Sequence, residues 1–188
     1  MRAEHGAAGV PAGQSVPVFG ARNLQIREAL GCLYGAMAAV VRDDLVGFEL
    51  LVEDLRFSFE NFYELLTTIS FATLDQLDAT IDGWQQLTPD DGRSLATDLL
   101  SLAKHYDIAS GDAVQTAAWL LDAVRRGDHS RVIADIDGAR RVSSDDDLVA
   151  GSIALLTATV SLWARHTGRS PRRAAAELCM GAAVDAVR

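Results

Sequence analysis

Aromatic residues supply only 6% of this 188-residue chain, and it holds four prolines and two cysteines. Each scarcity excludes something. With so few rings, the core must be assembled mostly from Leu, Val and Ala. The prolines fall in the N-terminal segment or beside expected helix starts, which leaves long stretches free to be helical. Cys32 and Cys179 lie inside apolar helical patterns, without the CxxC or Cys/His spacing of a zinc site. Two buried thiols are expected, and nothing demands an oxidising compartment.

Catalytic signatures are missing as well. His5, His105, His129 and His166 form neither H-x-x-x-H nor HExxH. No G-x-S-x-G elbow and no Gly-rich phosphate loop occurs. Glu49/Glu53 and Glu60/Glu64 are spaced four apart on helix faces, but a di-iron bundle also needs Glu-x-x-His motifs, and there are none. These pairs read as solvated faces. His105 and His166 fall near helix C-termini, where the dipole favours a cation. No metal and no cofactor is expected, and enzymatic activity is disfavoured.

Long apolar runs are scarce too. Met1 to Arg22 is broken by Gly and Pro and has no continuous apolar h-region, so it is not read as a secretory signal. It is expected to be a flexible tail over 1–22, with Val16, Val18 and Phe19 as the side chains able to dock. Leu148 to Ala164 carries no charge, yet it is shorter than the roughly 20 apolar residues a bilayer requires. It also holds two Ser and two Thr, and a buried central helix is the better reading. A soluble, cytoplasmic protein is therefore expected.

What is present is helical periodicity. Ile26, Leu30, Leu33, Met37 and Val40 recur at steps of three and four and predict a first helix over Asn23 to Arg42. Gly31 and Gly35 weaken that helix, and close approach of a neighbour would compensate. Asp44 is placed to cap a second helix carrying Phe48, Leu51, Val52 and Leu55 on one side and Glu49 and Glu53 on another. Ser58 could cap a third, from near Phe59 to about Asp82-Gly83, with Phe62, Leu65, Leu66, Ile69, Ala72 and Leu77 apolar. Thr88-Pro89-Asp90-Asp91 is the clearest start signal: an N-cap, a proline at the first helical position and acids in the first turn. Leu95, Leu99 and Leu102 follow, and His105-Tyr106-Asp107 closes the fourth helix.

The pattern then begins again. Val114, Ala117, Leu121 and Val124 stand 84 positions after Leu30, Leu33, Met37 and Val40. Arg126-Gly127-Asp128 matches Arg42-Asp43-Asp44, and Val132 and Ile136 match Phe48 and Val52, although Asp135 falls where Leu51 stood. Leu155-Leu156-Thr157 resembles Leu65-Leu66-Thr67 after a shift of six, and Ser170-Pro171 repeats Thr88-Pro89. The predicted fold is all-α, about eight helices in two tandem copies of a four-helix unit. The units would span 23–107 and 108–188 and pack as one body. The first two helices of each copy should form a hairpin.

Charge separates the two units. Through Asp107 there are seven basic against sixteen acidic residues, and the remainder has ten of each, so the net −9 belongs entirely to the first. An acidic surface repels nucleic-acid phosphates and anionic membrane surfaces and favours basic protein partners.

Arginines of the second unit cluster at Arg125-Arg126-Arg131, Arg140-Arg141 and Arg165-Arg169-Arg172-Arg173, the last group around an expected helix N-terminus. Their sharp reading is phosphate or nucleic-acid contact. The plainer one is a salt-bridged surface, because Asp122, Asp128, Asp135, Asp137 and Asp145 to Asp147 lie nearby. They could also dock on the acidic half of another copy. Trp119 sits beside the core stripe of its helix, where it would cover the seam between the units or anchor an interface. The leading expectation is a non-catalytic interaction or regulatory adaptor with a protein partner or a second copy of itself. Trp119, Arg125, Arg126, Arg172 and Arg173 are its candidate contacts. A small-ligand protein or enzyme with a pocket between the units is the first alternative, and a nucleic-acid regulator is the second.

Overall fold

The computed structural model describes the backbone of residues 18–87 and 92–187, and the tail 1–17 and the Thr88-Pro89-Asp90-Asp91 start signal lie outside the described residues. The protein is all-α. Eight helices follow in order: α1 (Val18–Arg42), α2 (Leu45–Phe57), α3 (Phe62–Leu87), α4 (Gly92–His105), α5 (Gly111–Arg125), α6 (His129–Ala139), α7 (Asp145–His166) and α8 (Pro171–Val187). No strand occurs among the described residues.

Several boundaries differ from the sequence reading. α1 begins at Val18, five residues before Asn23, so 18–22 are helical. Ser58 does not open α3. It closes α2, its hydroxyl donating to the Asp54 carbonyl at 3.0 Å, and Asn61 opens α3 by accepting from the Glu64 N–H at 2.8 Å. α3 then continues to Leu87, past Asp82-Gly83, because a single glycine costs only about 1 kcal/mol in a long helix.

Asp44 caps α2 as read, its match Asp128 caps α6, and Ser144, not singled out from sequence, caps α7. Asp44 accepts from the Gly47 N–H at 2.9 Å, Asp128 from Arg131 at 3.0 Å, and Ser144 from Asp147 at 3.1 Å. Each satisfies one of the donors that a helix start leaves without an intrahelical partner. His105 and His166 are the last residues of α4 and α7.

α7 is the axis of the molecule. From Leu148 to Ala164 every residue except Trp163 is buried, because α1, α3, α4, α5 and α8 all pack against it. Its length and composition would suffice to cross a membrane, and here that apolar surface is covered by helices of the same chain. Its hydroxyls are satisfied within the helix: Ser152 donates to the Leu148 carbonyl, Thr157 to Ile153 and Thr159 to Leu155, at 2.7 to 2.9 Å. Ser161 is completed by the Tyr106 hydroxyl at 2.6 Å.

α5 approaches α7 closely. A Cβ on Gly151 would lie 2.7 Å from the Ala113 carbonyl carbon and 2.8 Å from its oxygen, so only glycine fits there. Gly31 and Gly35 do not play that part. Among the described residues nothing lies within 4 Å of a Cβ on Gly31, and one on Gly35 meets the Leu51 side chain, at 3.3 Å.

Helix packing alternates between the two halves of the chain. α1 packs on α2 and α8, while α5 packs on α6 and α4. α3 and α7 pack on each other, with α1 against α7 and α5 against α3. The correspondence breaks around α7, which also takes α4, α5 and α8. No comparable packing surrounds α3, whose Phe71, Asp75 and Asp78 face solvent.

The hairpin turns coincide atom for atom at the 84-residue offset. Asp44 N donates to the Ala39 carbonyl at 2.9 Å and Asp128 N to that of Ala123 at 3.1 Å. Asp43 N reaches Val40 and Gly127 N reaches Val124, at 3.1 and 3.0 Å. Core positions coincide as well: Leu33, Met37, Val40, Phe48 and Val52 are buried, as are Ala117, Leu121, Val124, Val132 and Ile136. At the mismatched pair, Leu51 leans on Gly35, whereas Asp135 is turned out to Arg131 at 3.4 Å.

Candidate functional site

The residues singled out from sequence do not converge. Trp119 and Arg125 stand on α5 with Arg126 as its C-cap, and Arg172 and Arg173 on α8, which packs instead on α1 and α7. Trp119 is 55% exposed, so it does not cover a seam between the units. Its helix turns Ala117, Leu120, Leu121 and Val124 to the core and leaves position 119 outside that arc.

Most of the arginines are already engaged. Arg126 grips Asp122 at 2.8 Å and Arg125 reaches the same carboxylate at 3.8 Å. Arg169 and Arg173 share Glu177 at 2.8 and 3.0 Å, and Arg169 also lies 5.2 Å from the centroid of the Trp163 ring. Arg140 forks onto Asp145 at 2.8 and 3.0 Å and lies over Phe62. Arg172 makes no ion pair among the described residues. The plainer expectation, a salt-bridged surface, describes this face.

The thiols are half-buried and unpaired. Cys179 donates to the Tyr34 carbonyl at 3.1 Å. Burial, with Asp54 and Glu28 adding to it, pushes the Cys32 thiol up from its ordinary pKa. Burial raises Cys179 too, against the pull of Arg42. Neither is an activated nucleophile. No group of three or more His, Cys, Asp or Glu among the described residues could hold a metal ion.

A different region stands out. α2 buries Phe48, Val52 and Leu55, yet Val46, Leu50 and Phe57 on the opposite side are 69%, 59% and 80% exposed. Steps of four and seven place those three on one outward stripe. Leu45 is exposed at the start of the same helix. Beside this stripe a groove of about 780 Å3 runs between α2 and the first turns of α7. Phe48, Val52, Ile108 and Ala150 supply its apolar lining; Glu49, Glu53, Asp146 and Asp147 line it with carboxylates, and Phe57 flanks it.

Two of the four acids have partners. Arg56 pairs with Asp146, and Asp147 is held by Ser110, whose N–H and hydroxyl donate to it at 2.8 and 2.6 Å. Those bonds brace the groove wall by tying the α4–α5 connection to α7. Glu49 and Glu53 make no ion pair among the described residues and face solvent.

Sequence reasoning missed this face. It separated Glu49 and Glu53 from the core side of α2 and assigned Val46, Leu50 and Phe57 to neither side. Their spacing was a readable signal: α2 is apolar along two opposite stripes, and one helix cannot bury both against a single neighbour.

A polar cavity of about 710 Å3 lies between α4 and α7, lined by Asp98, Ser101, Lys104, His105 and Arg165, and a smaller apolar cavity lies between helices of the two halves. The smaller one measures about 230 Å3 and is lined mainly by Leu74, Leu77, Leu99, Leu121 and Leu155, with Asp122 and Arg125 as its charged members. That is below the roughly 300–1,000 Å3 of a typical small-molecule pocket. Comparison of the chain with protein-family models, with curated proteins and with solved structures finds no match.

Proposed function

We propose that this protein is a non-catalytic interaction module that engages a partner protein through the outer face of α2. One observation carries the reading. Eighty-four residues on from Val46, Leu50 and Phe57, the chain has Ser130 and Ala134 on α6 and Arg141 just past its end. α6 sits in a hairpin with the same turn hydrogen bonds, so the hairpin itself does not require an apolar outer stripe. Scattered exposed apolar residues need no explanation, but an aligned row on one short helix marks a recognition surface.

The thiols, held toward their protonated form by burial, favour binding over nucleophilic catalysis. Arginines already paired with Asp122, Asp145 and Glu177 favour a protein partner over nucleic acid. The 84-residue correspondence of turns and buried positions supports descent from a duplicated four-helix unit, with α7 specialised as the centre and α2 left free for contact.

The test is a comparative pull-down from the native host with the wild-type chain and a V46E/L50E variant, partners being identified by mass. A set of partners retained by wild type and lost from a thermally unaltered variant is expected. Identical sets from the two would refute the reading.

A further inference from the structure

Building on the α2 reading, we infer that the groove between α2 and α7 receives the apolar face of a basic amphipathic helix from a separate protein. Two features of the site fix the chemistry of that occupant. Phe48, Val52, Ile108 and Ala150 offer an apolar floor, continuous through Phe57 with the exposed row Val46–Leu50. Glu49, Glu53, Asp146 and Asp147 against Arg56 leave the groove three charges negative, and its α2 wall belongs to the half of the chain that carries the whole net −9.

A helix with Leu-type side chains on one stripe and Lys or Arg on its flanks satisfies both features. Its greasy stripe lies on the floor, and its cations reach the carboxylates on either side. Such helix-in-groove recognition uses anchors at i, i+3, i+4 and i+7. Size agrees. The ten residues from Phe48 to Phe57 span about 15 Å of α2, or nearly three turns. A helix roughly 10 Å across would occupy more than 1,000 Å3 over that length. A groove of about 780 Å3 therefore suits the interlocking face of a helix, not the whole rod.

Charge complementarity also argues against a second copy as the occupant. The arginine groups of the second half are largely held by their own carboxylates, and α8 presents Met180 as its one large exposed apolar side chain among the described residues.

The probe is a fluorescent Leu/Lys peptide of about 18 residues with helical periodicity, long enough to cover the groove. Its controls are the same peptide with Glu for Lys, a Leu/Lys peptide of scrambled order, and spermine as a competitor. Binding should appear by anisotropy, with helicity induced in the peptide. Raising salt from about 50 to about 300 mM should weaken it. An E49Q/E53Q variant should lose about tenfold in affinity. Phe57→Ala should lose about tenfold or more. Both changes are at exposed positions, and unchanged thermal unfolding would confirm that the fold is intact.

Equal binding of the scrambled or the Glu peptide would overturn the inference, as would displacement of the probe by spermine alone at comparable concentration. So would a dimer of the chain that E49Q/E53Q dissociates. If native partners are lost from V46E/L50E while E49Q/E53Q and salt leave them bound, recognition through α2 stands and its basic helical occupant does not.

Discussion

Asp43 and Gly127, 84 residues apart, hold the same left-handed backbone conformation, at φ 63° and 68°. Each lets its helix end with two closing hydrogen bonds, after which an Asp caps the next helix at nearly the same angles, φ −100° and −87°. The left-handed region costs an ordinary L-residue roughly 1–2 kcal/mol and glycine almost nothing, with Asp and Asn between. Gly127→Ala should therefore destabilise by about 1–2 kcal/mol. Asp43→Gly should stabilise by up to about 1 kcal/mol, less whatever the more flexible unfolded chain takes back. Denaturant midpoints at constant m-value check both, and a destabilised Asp43→Gly would disprove the equivalence of the two turns.

The glycines of the long helices should behave oppositely. At Gly151 an added methyl would press into the Ala113 backbone, which cannot give way as a flexible side chain does. Gly151→Ala should cost about 1–3 kcal/mol by forcing α5 and α7 apart. At Gly31 there is open space, and Gly31→Ala should add about 1 kcal/mol through helix propensity. Paired thermal unfolding curves decide it, and similar effects at the two positions would refute the packing argument.

Alkaline pH should loosen the fold. Burial raises the pKa of Tyr106, against its Ser161 hydrogen bond and Arg165. Burial, with Asp75 adding to it, raises Tyr34, and burial raises Cys32 and Cys179. All four are acids whose neutral form the folded state prefers. Their stabilisation is complete below the unfolded-state pKa values, about 8.5 for thiols and about 10 for phenols, and is lost as pH climbs through the raised folded values. Melting temperature should stay level through neutral pH as far as these groups are concerned and fall from about pH 8.5 upward. Tyr106→Phe should flatten part of the upper slope, while a slope identical to wild type would remove Tyr106 from the account.

Thiol reactivity gives an independent reading. Both sulfurs are half-buried and shifted toward the protonated form, so a disulfide reagent at neutral pH should label the native chain slowly. Unfolding in denaturant should release two fast equivalents, one from each cysteine. Rapid labelling of both in the native state would contradict their placement against α1 and α8.

Local chemistry alone announced the helices, the Asp44 and Ser170-Pro171 starts, the match of the Arg126-Gly127-Asp128 turn to Arg42-Asp43-Asp44, and the burial of Leu148 to Ala164. Such features depend on residues within a few positions of one another, where periodicity, caps and backbone preference act directly. What lay beyond the sequence were the choices made between distant segments. Spacing could not tell that Gly151 rather than Gly31 receives another backbone, because that depends on where Ala113 lies across the bundle. Nor could it show that Trp119 is left more than half exposed, or that α2 keeps one apolar stripe in solvent beside the carboxylates of α7. A helix reveals its greasy faces in one dimension, and only packing in three decides which of them is left uncovered.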